Sequence, residues 1–204
     1  MDEKHILINI GRQFGAGGKG VADLLGKRLG IPVYDNELLQ QAAAESGLSP
    51  AFFKKNDEKR RLFRFGALFG LSRASSYAPS GIDETELFKY QSDAIRNIAQ
   101  QGSAIFLGRA SDYVLRDMEC LDVFICAPLE DRVARVCERT GMAPEEAEKF
   151  IVRKERARRD YYNFFTLGNW GVASNYDLCL DSSLVGLDGC VDLIIDFGRK
   201  SGLL

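Results

Sequence analysis

The stretch Ile6-Leu7-Ile8-Asn9-Ile10-Gly11-Arg12-Gln13-Phe14-Gly15-Ala16-Gly17-Gly18-Lys19-Gly20 decides how the chain is read, with Val21-Ala22-Asp23-Leu24-Leu25-Gly26-Lys27-Arg28-Leu29 directly behind it. A short apolar run gives way to glycines and one lysine, then to apolar side chains at helical spacing. Glycines let successive backbone N–H groups turn toward an anion, and the helix start adds its dipole. The layout is that of a phosphate cradle between a buried strand and a helix.

The loop departs from the P-loop pattern G-x-x-x-x-G-K-[ST], in which Lys reaches the outer phosphates and the hydroxyl holds Mg²⁺. With Gly18-Lys19 as the Gly-Lys pair, Gln13 stands at the first glycine and Gly20 at the hydroxyl position. In the other register Gly18 stands where Lys belongs and Lys19 where Ser belongs. Both registers remain open on the sequence, and both lack the metal-binding hydroxyl. A competing pattern is the dinucleotide fingerprint, Gly15-x-Gly17-x-x-Gly20 with Asp35 at the end of the next apolar run. That fold turns at its first glycine straight off the strand, whereas three non-glycine residues separate Gly11 from Gly15 here. The phosphate-binding loop is the better fit, and dinucleotide binding ranks last.

The 204 residues suit one domain. A net charge of −2 argues against bulk electrostatic binding to nucleic acid or to an anionic membrane, so neither is expected as a partner. Five cysteines without a C-x-x-C pair point to reduced thiols buried in a cytoplasmic protein's core. His5 is the single histidine, which removes histidine-based triads and metal clusters; no metal ligand is assigned. Chemistry must therefore run on Asp, Glu, Lys and Arg, the residues of phosphoryl transfer. No signal peptide and no run of about 20 apolar residues is present.

Strands are expected near 6–10, 31–34, 103–107, 121–126 and 176–181, each followed by one or more helices. The long helix opening at Asp83-Glu84-Thr85-Glu86 and ending before Gly102 should bury Leu87, Tyr90, Ala94 and Ile98. Another short helix should start at Ser49-Pro50, and a closing helix should run from Leu187 to about Gly198. This alternation means an α/β fold with a five-stranded parallel sheet and helices on both faces. Between residues 54 and 82 the composition turns charged, then aromatic, then polar, which reads equally as a mobile cover for the site or as a surface loop. The expected organisation is a core of 1–53, 103–150 and 176–204, an insertion of about 54–102 and a helical lid of about 151–175.

Ligands of such sheets bind at the carboxyl edge of the strands. Lys19, Asp35 and Arg109 each fall there, after the first, second and third strands. Asp35 reads first as a helix cap, and Arg109 follows Gly108 where a phosphate can be clamped by two N–H groups. Arg132, Arg135 and Arg139 share a helix face, and Arg153, Arg156, Arg158 and Arg159 crowd the next helix with Glu155 among them. Most of these form a solvated face, but two or three suit a lid that offsets the charge of a transferring phosphoryl group. The aromatic run Tyr161-Tyr162-Asn163-Phe164-Phe165 and Trp170 reads first as packing.

The motifs Arg12-Gln13-Phe14-Gly15-Ala16-Gly17-Gly18, Tyr34-Asp35-Asn36-Glu37-Leu38, Gly108-Arg109-Ala110 and Glu155-Arg156-Ala157-Arg158 resemble the cytidylate kinase-like family. Tyr161-Tyr162 and Asn175-Tyr176-Asp177-Leu178-Cys179-Leu180-Asp181-Ser182-Ser183 complete the match in the same order. The resemblance implies a P-loop kinase of the nucleoside monophosphate kinase type, using ATP and Mg²⁺ on a small nucleotide, CMP or dCMP first. By that resemblance Gly15, Ala16, Gly17, Gly18, Lys19 and Gly20 hold ATP phosphates, with Arg135 nearby. Arg12, Arg109, Glu155, Arg158 and Asp35 serve the acceptor, and Lys19, Arg158 and Asp35 carry the catalysis. Glu155 stands where CMP kinases have Asp. A nucleotide sensor without turnover, or a kinase for a non-nucleotide metabolite, are the alternatives. Oligomeric state is not legible.

Overall fold

A computed structural model describes residues 5–45 and 84–204. The expectations for the Ser49-Pro50 helix and for residues 54–82 lie outside the described residues. The elements are β1 (Leu7–Arg12), α1 (Gly18–Leu29), β2 (Val33–Tyr34), α2 (Asn36–Glu45), α3 (Glu84–Gln101), β3 (Ala104–Leu107) and α4 (Ser111–Val114). Then follow β4 (Leu121–Cys126), α5 (Leu129–Thr140), α6 (Pro144–Thr166), a 3₁₀ turn at Ala173–Asn175, β5 (Leu178–Asp181) and α7 (Ser182–Ser201).

The five strands form one parallel sheet in the order β2-β3-β1-β4-β5. β1 is central, with Ile8 opposite both Ile105 of β3 and Leu121 of β4. Its continuous burial from Leu7 to Ile10 is what a strand covered on both faces requires. The order also separates this fold from the dinucleotide arrangement, in which β2 neighbours β1 directly; here β3 lies between them. The main core gathers Ile8, Ile10, Leu25, Ile105, Leu121, Ile125 and Ile194, all fully buried, each contributing about 1.5–3 kcal/mol of apolar burial. A smaller cluster of Val136, Ala147 and Ile151 joins α5 to α6, with Phe14 packed on it.

The chain divides into two compact units, one of residues 1–36 and 95–204, the other of 37–94. The sheet, α1 and α4 to α7 belong to the first, while most of α2 and the first part of α3 belong to the second.

Several expectations shift. β1 continues two residues past Ile10 because the Gln13 N–H donates to the Ile125 carbonyl (3.0 Å) and keeps the chain in the ladder with β4. On α3 the buried positions are Gln91, Ser92, Ala94, Ile95 and Ala99, so the stripe runs one residue beyond the expected one; Leu87, Tyr90 and Ile98 are only partly buried. The closing helix begins at Ser182 and is interrupted at Gly186 (φ 70°, ψ 176°), so the regular helix does restart at Leu187. Among the cysteines only Cys190 is buried, and Cys179 is exposed. All five are free thiols.

Candidate active site

The loop from β1 to α1 is built by its neighbours. Gln13 is held at both ends, its N–H on Ile125 and its Oε1 accepting from the Ala127 N–H at 3.1 Å. Gly15 (φ 84°) and Gly17 (φ 80°) adopt left-handed conformations that turn the chain into α1. The Ser182 hydroxyl donates to the Ala16 carbonyl at 2.7 Å, and Arg135 grips Ser182 Oγ (2.9 Å), the Ser182 carbonyl and Ser183 Oγ. Buried Arg132 donates through Nε to the Ala127 carbonyl (2.9 Å) and through Nη1 to the Phe14 carbonyl (3.3 Å). The Phe14 and Ala16 carbonyls of the loop are therefore spoken for.

With Gly17 as the cap, α1 opens on Gly18, Lys19 and Gly20, whose N–H groups have no partner four residues back within the helix. That is the donor cluster an anion needs. Lys19 points elsewhere. Its ammonium lies 3.1 Å from Asp35 Oδ2 and 3.6 Å from Asp23 Oδ1, and the Asp35 hydrogen bond raises its pKa. Asp35 is thus more than a cap: it ties the end of β2 to the start of α1.

Beyond the loop, Gly108, Arg109 and Ala110 all have positive φ (74°, 61° and 53°). Two consecutive non-glycine residues in this region store strain of a few kcal/mol, the kind of strain found at binding sites. The turn releases the chain from β3 into α4 and sets Arg109 with its guanidinium 5.0 Å from the centre of the Tyr161 ring. The Arg12 guanidinium lies against Gly108. Arg158, from α6, donates to the Arg12 carbonyl (3.0 Å) and covers the Phe14 ring at 5.1 Å.

Arg12, Arg109 and Arg158 line one cavity of about 410 Å³ together with Asp112, Tyr161, Tyr162, Trp170 and Tyr176. Burial pushes the Arg12 pKa down to about 9, helped by repulsion from Arg158 and Arg109 and opposed by Asp35. Arg158 is likewise lowered, first by burial. No carboxylate forms an ion pair with any of the three among the described residues, so the cavity concentrates positive charge awaiting an anion.

Not every expected residue arrives here. Glu155 pairs instead with Arg132 at 2.8 Å, Arg132 buried and Glu155 partly so, and the contact is ionic since Glu155 Oε1 receives no aligned hydrogen bond. Arg135, Lys19 and Asp35 frame the glycine loop and do not line the cavity. The sequence reading passed over Asp112, which accepts from Tyr162 Oη at 2.7 Å, and named Arg132 only as part of a charged helix face. Asp112 had a legible signal, lying three residues after Arg109 at the same sheet edge. The Arg132 role had none, because its partners are 5 to 118 residues away.

The glycine loop fits the triphosphate of ATP: N–H groups without a helical partner at a helix start, two left-handed glycines, and a loop fixed from behind. For Mg²⁺ no group of three acidic, histidine or cysteine ligands exists among the described residues, so the ion would arrive on the nucleotide's phosphates, as Mg²⁺ commonly does.

The cytidylate kinase-like family model matches residues 7–184. Cytidylate kinase of Pyrobaculum aerophilum is 24% identical over 197 residues, covering 94% of this chain and 92% of the relative. That of Methanopyrus kandleri is 27% identical over 188 residues, covering 87% and 85%. Among solved structures, an uncharacterized protein from Eubacterium ventriosum superposes with a TM-score of 0.72 at 26% identity, over 94% of this chain and 97% of that one. Shikimate kinase from Bacteroides thetaiotaomicron shares the fold alone, with a TM-score of 0.52 at 13% identity over 98% and 99% of the two chains. With the P-loop kinase sheet and a family match running from β1 into α7, the chain belongs to the cytidylate kinase-like family.

Proposed function

We propose that this protein transfers the γ-phosphoryl group of ATP to a nucleoside monophosphate, CMP or dCMP first. The observation that carries the reading is the convergence of Arg12, Arg109 and Arg158 on one cavity next to the glycine loop. Three guanidiniums that form no ion pair with a carboxylate among the described residues suit a phosphate dianion and the charge that develops during its attack on a second phosphate. In this reading the N–H groups from Gly15 to Gly20, Ala16 among them, hold the donor, braced by Arg135. Arg109 and Arg12 hold the acceptor phosphate, and Arg158 reaches the transferring group from the 151–175 lid. Lys19 exchanges Asp35 for a donor phosphate, and Asp35 would help to hold Mg²⁺, which would supply charge neutralisation at the donor phosphates. Glu155 acts by positioning α6, through Arg132. Catalysis is then alignment and charge neutralisation.

A coupled assay of ADP release with ATP, Mg²⁺ and a panel of nucleoside monophosphates tests it. CMP or dCMP turnover, abolished in Lys19→Ala and Arg109→Ala, supports the kinase; binding without ADP formation with any acceptor overturns it. The second reading, a nucleotide sensor, is favoured by one observation: the loop lacks the metal-binding hydroxyl in either register, and its lysine is already ion-paired. That reading expects binding of ATP or CMP and no turnover.

A further inference from the structure

Two positions of the glycine loop have exchanged their usual occupants. The P-loop pattern G-x-x-x-x-G-K ends in a glycine and a lysine where the loop enters its helix. Here the left-handed glycine at that junction is Gly17 (φ 80°), and α1 opens on Gly18. Counted from Gly17, the pattern's lysine position is Gly18 and its first glycine position is Arg12. The cation stands on the strand and the glycine on the helix, the reverse of the pattern. The two departures are sterically linked. A Cβ built on Gly18 would lie 2.6 Å from Arg12 Cβ, 2.8 Å from Cγ and 3.7 Å from Cδ. The Arg12 stem thus fills the space that any side chain at residue 18 would need. Gly18 is not among the glycines with positive φ, so the stem and not the backbone demands a glycine there. Past Gly18 the stem carries its guanidinium to Gly108, in the cavity that Arg109 and Arg158 also line. Arg158 fixes the root by donating to the Arg12 carbonyl at 3.0 Å. One side chain therefore runs from the helix start that offers N–H groups to the donor into the acceptor cavity. Lys19, turned to Asp35 and Asp23, does not line that cavity. Burial lowers the Arg12 pKa to about 9, which leaves it charged at neutral pH.

We infer that Arg12 does the work of the missing P-loop lysine, its guanidinium bridging the donor's terminal phosphate and the acceptor phosphate. The inference rests on the nucleotide-kinase reading and makes Arg12 catalytic, beyond its hold on the acceptor. A planar fork of five N–H donors can bond oxygens of both groups at once, where a lysine ammonium acts as a point charge. An oxygen of the acceptor phosphate forms a bond to the γ-phosphorus as the bond from that phosphorus to the β–γ bridging oxygen breaks, and the electron pair of the broken bond leaves with ADP. Arg12 gives up no proton. Its part is to offset the charge on the oxygens of the transferring group and to keep the two phosphates in line.

The test moves the charge back to the helix. Arg12→Gly, Arg12→Met, Gly18→Lys and the double variants Arg12→Gly/Gly18→Lys and Arg12→Met/Gly18→Lys are compared with wild type. Each is assayed for kcat and KM with ATP, Mg²⁺ and the nucleoside monophosphate that wild type turns over fastest, and thermal melts establish that it folds. Arg12→Gly should lower kcat by roughly 100-fold or more. Arg12→Met, which keeps a stem and loses the charge, should do the same and carries the comparison if Arg12→Gly unfolds. Gly18→Lys alone should lower the melting temperature, because its stem collides with that of Arg12. Arg12→Gly/Gly18→Lys should melt above Gly18→Lys and regain about ten-fold or more in kcat over Arg12→Gly. Arg12→Met/Gly18→Lys should regain nothing, since the methionine stem still fills the space. The inference falls alone if wild type turns over and the Arg12 variants only raise the acceptor KM at unchanged kcat. It falls equally if the exchange of both residues improves neither melting temperature over Gly18→Lys nor kcat over Arg12→Gly. A wild type without turnover on any nucleoside monophosphate defeats the kinase reading, and the bridging role goes with it.

Discussion

Arg12 and Gly108 touch: a methyl group built on the Gly108 Cα would occupy the position of Arg12 Nη1. The end of β1 and the end of β3 are thereby joined through a charged side chain lying on bare backbone. This contact sets the floor of the arginine cavity, and it exists only because residue 108 has no side chain.

Gly108→Ala therefore carries two penalties. Its φ of 74° disfavours any L residue by about 1–3 kcal/mol, and the methyl must push the Arg12 guanidinium out of place. A lower melting temperature is expected together with loss of CMP binding, read by differential scanning fluorimetry and calorimetry. Gly30→Ala shares the left-handed φ but has open space around it, so it should cost stability and leave binding unchanged.

The guanidiniums of Arg12, Arg109 and Arg158 should respond to any phosphate dianion. Inorganic phosphate is expected to raise the melting temperature of wild type and to do so far less in Arg12→Met, Arg109→Met or Arg158→Met. In ligand-free protein, Arg109→Met should be neutral or mildly stabilising, because removing one of three like charges relieves the repulsion felt by the other two. A melt with and without phosphate checks both halves.

Arg132 and Glu155 form an ion pair that is almost wholly removed from water, with 7% and 19% of their side chains exposed. Arg132→Met leaves Glu155 buried and unpaired and frees the Phe14 carbonyl, so a loss of about 3–5 kcal/mol is expected. Adding Glu155→Leu should recover much of it. Urea denaturation of the two single variants and the double variant measures the coupling, and an additive result would contradict the pairing.

Asp122 on β4 accepts a hydrogen bond from Asn9 Nδ2 (2.8 Å), while buried Asn9 Oδ1 has no partner. Burial pushes the Asp122 pKa up to about 6 from 3.8. A carboxyl whose folded pKa is raised binds its proton more tightly when folded. Stability is therefore fullest below pH 4 for this group and declines as pH rises toward 6, by up to about 3 kcal/mol. Asp122→Asn should remove this dependence and raise the melting temperature at pH 7 to 8, with the new amide donating to Asn9 Oδ1. Melts from pH 4 to 8 on both proteins decide it; a larger pH slope in the variant would contradict the assignment.

The sequence by itself determined the architecture and the neighbourhood of the site. Continuous apolar runs such as Leu7-Ile8 and Val123-Phe124-Ile125, short and bounded by turn residues, fit strands of a doubly covered sheet, and glycine spacing after β1 fits an anion cradle, because both depend on local chain properties. Position at the strand ends was enough to single out Lys19, Asp35 and Arg109 as candidates. The tertiary structure decided which charges meet. Lys19 and Asp35 neutralise one another across 16 residues, and Arg12, Arg109 and Arg158 gather from β1, the β3 turn and α6. Glu155 turns inward to Arg132. Strand order was equally hidden, since inserting β3 between β1 and β2 leaves no mark on local pattern. Side-chain encounters over such distances follow from packing the helices on the sheet. Periodicity carries no record of them.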